Sequence, residues 1–462
     1  MPASRDRDLL VRGARAWRGD GWSPPSDLVV REGRIESIVP AGEGAAPEGA
    51  PVLEAAGCHA LPGFVNTHTH LFQALLRGAA EGLGLHDWLF AIGEAYVAAT
   101  PEQSAAAAAA AAAELLRSGA TTIVEHGYPH PDREVHDAIV EAVSEVGARV
   151  IYCRGIADKA DPGRQWGFEP RLIEPWDDQL THVEQLHRRF AEPGCRLSVG
   201  LAPPNPRALS PGAMGDAREL SDRLGLPVSV HLCETDFDDR SCLEHAGLRA
   251  APYLDRHGFL WDRFLGVHCV HVGPEDRALL AERGCAVSYN PVCNMRLGSG
   301  FAPIPEFLEL GVPVGIGVDG AASNDTQDMF EALRYGSYVQ RGRLGDATAL
   351  GAPAMIRMAT DGANRALGVE SRPAGLQPGL AADLVLVRFE RELSAVPALN
   401  PAVTLLTQAT SRSVESVIVA GEVVVSDGRC VRVSEDDVIA RAVRAANSLP
   451  EEVVKVGWRR GA

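Results

Sequence analysis

Short apolar runs recur through the middle of the chain, and each gives way to polar residues at its carboxy-terminal end. They fall at 61–66, 121–125, 149–153, 196–201, 228–231, 264–268, 286–289 and 312–318. Runs this short, bounded by turn residues, predict buried strands. The intervals between them are long enough for helices. The clearest is 100–118, where Thr100-Pro101-Glu102-Gln103 offers an N-cap, a first-turn proline and a capping-box glutamine, nine alanines follow, and Gly119 stands at the stop. Shorter helices are expected at 276–283 and 305–310. Strands alternating with helices over about 300 residues predict a parallel α/β fold, and eight strands is the number that closes a (β/α)8 TIM barrel.

The flanks read differently. Short strands are expected at 9–11, 27–31, 35–39 and 52–55, with turns at Gly19-Asp20-Gly21 and Glu32-Gly33-Arg34. The β pattern returns at 383–387, 417–420 and 423–425, with a turn at Asp427-Gly428. Neither flank is enough for an independent core. They are expected to join as one small composite β-sandwich, 1–57 with 375–432, beside a catalytic barrel over 58–374, with 433–462 as a helical tail.

Composition narrows the function classes. A hydrophobic content of 46% and a charged content of 23% are ordinary for a globular protein. The net charge of −17 is spread along the chain and argues against a nucleic-acid or anionic-membrane partner. The amino terminus has no signal-peptide apolar region, and no uncharged run approaches the length of a membrane span. Nine cysteines, scattered and never spaced Cys-x-x-Cys, suit free thiols in a reducing cytoplasm. Of 44 basic residues only Lys159 and Lys455 are lysines.

The polar strand ends carry the chemistry. The first strand delivers His68 and His70, and residues i and i+2 of an extended strand point to one side. Alone, that pair is either an exposed polar strand end or half of a metal site. Catalytic side chains of such barrels come from the carboxy-terminal strand ends. The fifth strand ends in His231-Leu-Cys-Glu234, the sixth in His268-Cys-Val-His271, and the eighth in Asp319-Gly-Ala-Ala-Ser-Asn324. Three strands ending in histidine and one in aspartate offer the donors that divalent zinc or iron accepts, with a position left for water. His268 and His271 cannot both face the site.

The motifs PGFVNTHTH (62–70), LLRG (75–78), DWLF (87–90), SGATT (118–122), HLCET (231–235), HCVHV (268–272), NMRLGSG (294–300), GVDGAASND (317–325) and PGLAADLVLV (378–387) span nearly the whole chain. In content and order they resemble the chlorohydrolase/deaminase branch of the amidohydrolase superfamily, which holds S-adenosylhomocysteine, guanine, 8-oxoguanine and melamine deaminases and atrazine chlorohydrolase. The resemblance implies a (β/α)8 barrel with a composite β-sandwich. It implies one divalent metal per chain, zinc with iron as the alternative, held by His68, His70, His231 and Asp319. Members with two metals bridge them by a carboxylated lysine on the fourth strand, and 196–203 contains no lysine. Glu234 would be the proton shuttle, Asp319 would take the proton of the attacking water, His268 would stabilise developing charge, and His271 would be structural.

The implied reaction is hydrolysis of a C–N bond other than a peptide bond: deamination of an aminated N-heterocycle resembling guanine, an 8-oxopurine, a pterin or a triazine, with release of ammonia. The alternatives are an S-adenosylhomocysteine or adenosine-type nucleoside deaminase, and a chlorohydrolase. Gln73 lies where guanine, 8-oxoguanine and triazine members read the ring, and a carboxamide suits an amide-like ring edge. Trp88 would wall the pocket. Arg154 and Arg164 stand at places similar to two arginines of S-adenosylhomocysteine deaminase that reach substrate polar groups, whereas the acidic residue that holds its ribose has no clear counterpart, although Glu94 lies nearby. The expected partner is a small heterocycle, and the resemblance implies a homo-oligomer, dimer or larger.

Overall fold

The structure is a computed structural model and describes residues 7–192, 194–368 and 374–450. Eight parallel strands close a barrel in chain order: β1 (Phe64–Thr69), β2 (Ala120–His126), β3 (Arg149–Gly155), β4 (Leu197–Ala202), β5 (Val228–Leu232), β6 (Phe264–His268), β7 (Ala286–Tyr289) and β8 (Val314–Ile316). The closing seam pairs Ile316 of β8 with Asn66 of β1. Every residue of β1 and β2 is buried. Strands covered on both faces read as unbroken runs rather than alternations, which is the pattern seen in the sequence.

Two strands differ from the sequence expectation. The run at 61–66 belongs to two sheets. His59–Pro62 pairs antiparallel with Leu384–Val387 in the second sheet, and only from Phe64 does the chain enter the barrel. Pro62 has no N–H to extend a ladder, and at Gly63 a Cβ would sit 2.1 Å from Thr121 Oγ1, so glycine permits the close crossing. The run at 312–318 yields a ladder of only three residues, Val314–Ile316. Beyond it the Val318 N–H donates to the Asn66 side chain at 3.0 Å, and a side-chain acceptor replaces the neighbouring strand.

The two chain ends build one sheet of nine strands in which His59–Pro62 lies between Leu9–Trp17 and Leu384–Val387. The sheet rolls onto itself: Ile35 N–H donates to Leu380 O at 2.9 Å and Ala382 N–H to Gly33 O at 2.8 Å. The rolled interior is a separate apolar core that includes Leu9, Leu28, Ile35, Leu384 and Ile418.

The alanine-rich helix spans Pro101–Arg117 and has the expected capping box: Gln103 N–H donates to Thr100 Oγ1 at 3.2 Å and Thr100 N–H to Gln103 Oε1 at 3.1 Å. Its alanines at 106–109 and 111–113 are buried. Methyl-sized side chains set a short interaxial distance, so this helix packs against β2, the helix Arg133–Val146 and the helix Glu435–Asn447. The rest of the expected helical tail, with Lys455, lies outside the described residues. Among those residues no helix is long and apolar enough to cross a membrane.

Glu125, near the end of β2, is buried and accepts the Leu71 N–H at 2.8 Å. Burial raises its carboxyl from 4.5 to about 8. The folded chain therefore keeps a proton that the unfolded chain releases above 4.5, so the stability this group contributes is full below 4.5 and is lost as pH rises toward about 8. Thermal denaturation of the wild type and Glu125→Gln between about pH 5 and about pH 8, at fixed metal content, checks the sign. The wild-type Tm should fall further than that of the variant, and parallel curves would contradict the assignment.

Candidate active site

The carboxy-terminal rim of the barrel gathers five side chains. His68 comes from β1 and His70 from the residue just after it, His231 from β5, His268 from the last residue of β6, and Asp319 follows β8. His68 Nε2 lies 3.8 Å and His70 Nε2 3.7 Å from Asp319 Oδ1, and His268 Nε2 lies 3.6 Å from Asp319 Oδ2. His68, His231 and His268 place ring nitrogens within 4.8 Å of one another, as do donor atoms of His68, His70 and Asp319. The backbone at these strand ends is left-handed at non-glycine residues, with φ of +49° at Cys233, +72° at His268 and +63° at Asp319. Such conformations cost energy and gather at functional sites. They turn the chain at the rim.

Hydrogen bonds fix the tautomers of two rings. His70 Nδ1–H donates to His126 O at 2.7 Å, and His231 Nδ1–H donates to Pro204 O at 2.6 Å. A carbonyl can only accept, so in each neutral ring Nε2 carries the lone pair. These two nitrogens lie 3.2 Å apart. Two lone pairs facing each other repel, and a shared cation relieves this. His68 is fully buried, and neither of its ring nitrogens has a hydrogen-bond partner among the described residues. Burial, reinforced by the neighbouring imidazoles, pushes His68 and His231 well below the usual histidine range and keeps them neutral. For Asp319, burial pushes the carboxyl up, but the facing His70 and His268 outweigh it and hold it below the ordinary value. Neutral imidazoles beside an ionised carboxylate fit a divalent metal ion.

Glu234 stands beside this centre. Its Oε1 accepts the Ser299 hydroxyl at 2.9 Å, and its Oε2 lies 3.5 Å from His268 Nε2. Burial, with the charge of Asp319 added, raises its pKa even though His268 acts in the opposite direction. A carboxyl raised this way keeps its proton above the ordinary carboxylate range and can give and retake it. His268 is oriented from behind, with Nδ1–H donating to Asn294 Oδ1 at 2.8 Å. His271 turns elsewhere: its Nε2–H donates to Ser299 O at 2.7 Å, tying down the loop that positions Glu234.

These groups form the floor of a cavity of about 640 Å³, its open mouth included. Gln73 and Trp88 line it. Among the described residues neither end of the Gln73 carboxamide makes a well-formed hydrogen bond, and the Tyr96 hydroxyl beside it is its weak partner. Arg154 and Arg164 do not line the cavity. Arg154 is fully buried in an ion pair with Glu174, because a guanidinium enclosed at that depth requires a carboxylate. Arg164 donates to Leu89 O at 3.0 Å and Glu169 Oε2 at 2.9 Å, and its guanidinium lies over Phe90. Glu94 is engaged by Arg171 at 2.7 Å.

Several wall residues escaped the sequence reading. Tyr128 stacks on His70 with centroids 4.8 Å apart, and Phe168, Arg207 and Phe237 continue the wall. Tyr128, Phe168 and Arg207 come from loops and Phe237 opens the helix Phe237–Ala246, and no periodicity marks any of them. His126 was also missed. Its ring lies 4.3 Å from that of His231, and its carbonyl orients His70. It ends β2 as His68 and His70 end β1, so reading that strand end by the same rule would have found it.

A family model described as the amidohydrolase family matches residues 59–424. A 5-methylthioadenosine/S-adenosylhomocysteine deaminase of Desulforudis audaxviator is 34% identical over 96% of this chain and 100% of its own length. An 8-oxoguanine deaminase of Pseudomonas aeruginosa is 34% identical over 93% of this chain and 96% of its own. The crystal structure of an adenosine deaminase from Xanthomonas campestris with bound zinc superposes with a TM-score of 0.86 at 28% identity, covering 95% of this chain and 98% of that one.

Without a cation at this site the facing nitrogens of His70 and His231 are unrelieved. Chelated protein should therefore melt at a lower temperature, and zinc added at about 1,000 times its dissociation constant should restore about 4 kcal/mol of stability. His68→Ala should lose most of that response. A melting temperature indifferent to zinc in the wild type would contradict the site.

Proposed function

Because the chain belongs to the amidohydrolase family, we propose that it hydrolytically deaminates an aminated N-heterocycle and releases ammonia. It uses one divalent metal, zinc, held by His68, His70, His231 and Asp319. The observation that carries this reading is a buried carboxyl of raised pKa, Glu234, beside His268 and Asp319 on the floor of a cavity whose wall includes the Gln73 carboxamide. A single ion is supported by the absence of lysine from β4, while the Lys159 ammonium lies over the Trp166 ring at 3.7 Å.

When bound, the metal supplies the Lewis acidity that brings a water's pKa toward neutrality. The remaining steps belong to side chains. Asp319, ionised, accepts the proton of the attacking water. Glu234, protonated, donates to the ring nitrogen next to the amine-bearing carbon and makes that carbon electrophilic. His268, held by Asn294, faces the oxygen as it adds and stabilises the charge that develops there. The C–O bond forms, Asp319 passes the water's proton to the departing amine, the C–N bond breaks with release of ammonia, and the proton of the added hydroxyl returns to Glu234 as the ring carbonyl forms. Ser299 keeps the Glu234 carboxyl turned toward the reacting ring.

Gln73 in the wall supports a free base such as an oxopurine, pterin or triazine. The nucleoside reading is second, favoured by the name of the relative from Desulforudis audaxviator. Against it, Glu94, the carboxylate nearest to the expected ribose position in sequence, is held by Arg171. A reducing cytoplasm suits nine free cysteines, eight of them buried.

Ammonia release from aminopurines, their nucleosides, pterins, pyrimidines and aminotriazines tests the reading, with halide release from chlorinated triazines as the contrary outcome. Glu234→Gln should lower kcat by about 100- to 10,000-fold and leave metal content unchanged. Glu234 must hold its proton to act, and its pKa is raised, so wild-type activity should persist above the ordinary carboxyl range and fall on the alkaline side as that proton is lost. Turnover in the glutamine variant equal to wild type would remove Glu234 from the mechanism.

A further inference from the structure

The sequence Pro203-Pro-Asn-Pro-Arg207 follows β4 and brings a guanidinium to the cavity wall. Arg207 is held from several sides. Its own N–H donates to Asn205 Oδ1 at 2.9 Å, and its Nη1 donates to Asp238 Oδ1 at 2.5 Å. Its guanidinium lies 4.6 Å from the Phe237 ring centroid. Asp238 is pinned in turn by the Cys233 N–H at 2.7 Å, in the turn between His231 and Glu234. The guanidinium is thus fixed to the same loop that carries a metal-site histidine and the proton shuttle.

Arg207 is buried, and its Nε has no hydrogen-bond partner among the described residues. His86 packs edge-on against Phe237 with centroids 4.0 Å apart, lines the same cavity, and has a buried Nε2 that is also unpartnered. A buried guanidinium N–H can only donate. Left unmet it is costly, and a ligand that supplies an acceptor removes that cost. The floor is already occupied by the Glu234 carboxyl, which donates to the ring nitrogen, and by the Asp319 carboxylate, which faces the attacking water. The acceptor sought by Arg207 therefore belongs to a different edge of the substrate.

We propose that Arg207, with His86 beside it, reads an oxygen acceptor on the heterocycle, so the substrate class is an amino-heterocycle that also carries an oxo group. This deepens the deaminase reading and rests on it for the identity of the reaction, but not for the identity of the bound ring. Arg207 is a specificity residue here, and Asp238 and Phe237 position it.

Binding of rings that lack the exocyclic amine tests the assignment without turnover. The probes are matched pairs that differ only in an oxygen, purine with hypoxanthine and pyrimidine with 4-pyrimidinone, measured by calorimetry on the metal-loaded protein. The wild type should prefer the oxo partner of at least one pair by about 10- to 100-fold. Arg207→Met should reduce that ratio to near unity, and Arg207→Lys should recover part of it. A ratio of affinities cancels any loss of folded protein. A wild type with no oxo preference in either pair would overturn the proposal, as would a ratio that Arg207→Met leaves intact. An Arg207-dependent preference in a protein that releases no ammonia would sink the deaminase reading and leave the assignment of Arg207 standing.

Discussion

Two imidazole nitrogens 3.2 Å apart, each presenting a lone pair, set the terms for the whole centre. His70 and His231 cannot turn away, because His126 O and Pro204 O hold their other nitrogens. They cannot readily take up a proton either, because burial disfavours the charged ring. Asp319 answers with a negative charge but donates nothing. A cation at the focus of these groups is the one addition that satisfies all of them, and Glu234, His268 and the cavity walls are arranged around that point.

The scaffold exists to hold this focus rigid. Parallel strands bring their carboxy-terminal ends to one rim, and closure of β8 on β1 places Asp319 beside His68, whose carbonyl accepts the Asp319 N–H at 3.0 Å. The second sheet anchors the chain just before β1, where Leu61 pairs with Val385 two residues before the Gly63 crossing into the barrel is complete. On the outside, the alanine-rich helix packs closely against β2, which carries the His126 carbonyl at its tip. Alterations far from this focus therefore reach it through strand position.

Much of this was legible in the sequence, for identifiable reasons. Strand ends are where apolar runs stop, so His68, His70, His231, His268 and Asp319 announced themselves by position, and the motifs around them gave the family. The break at Pro62–Gly63 was hidden because both sides are apolar, although they face different sheets. The resemblance to S-adenosylhomocysteine deaminase points to Arg154 as a ligand contact, but its side chain pairs with Glu174, whose place near it depends on tertiary packing that spacing does not encode. Tyr128, Phe168 and Arg207 come from loops, where neither period nor motif distinguishes a wall residue from a solvated one. The left-handed residues Cys233, His268 and Asp319 carry no glycine to mark the turn.

The central claim is that one metal ion occupies the focus of His68, His70, His231 and Asp319. Anomalous diffraction from crystals of the protein as purified, recorded on both sides of the zinc edge, tests it directly. One peak among those four side chains, present only above the edge, is the result this account predicts. No peak there, or two peaks of comparable height, would contradict it.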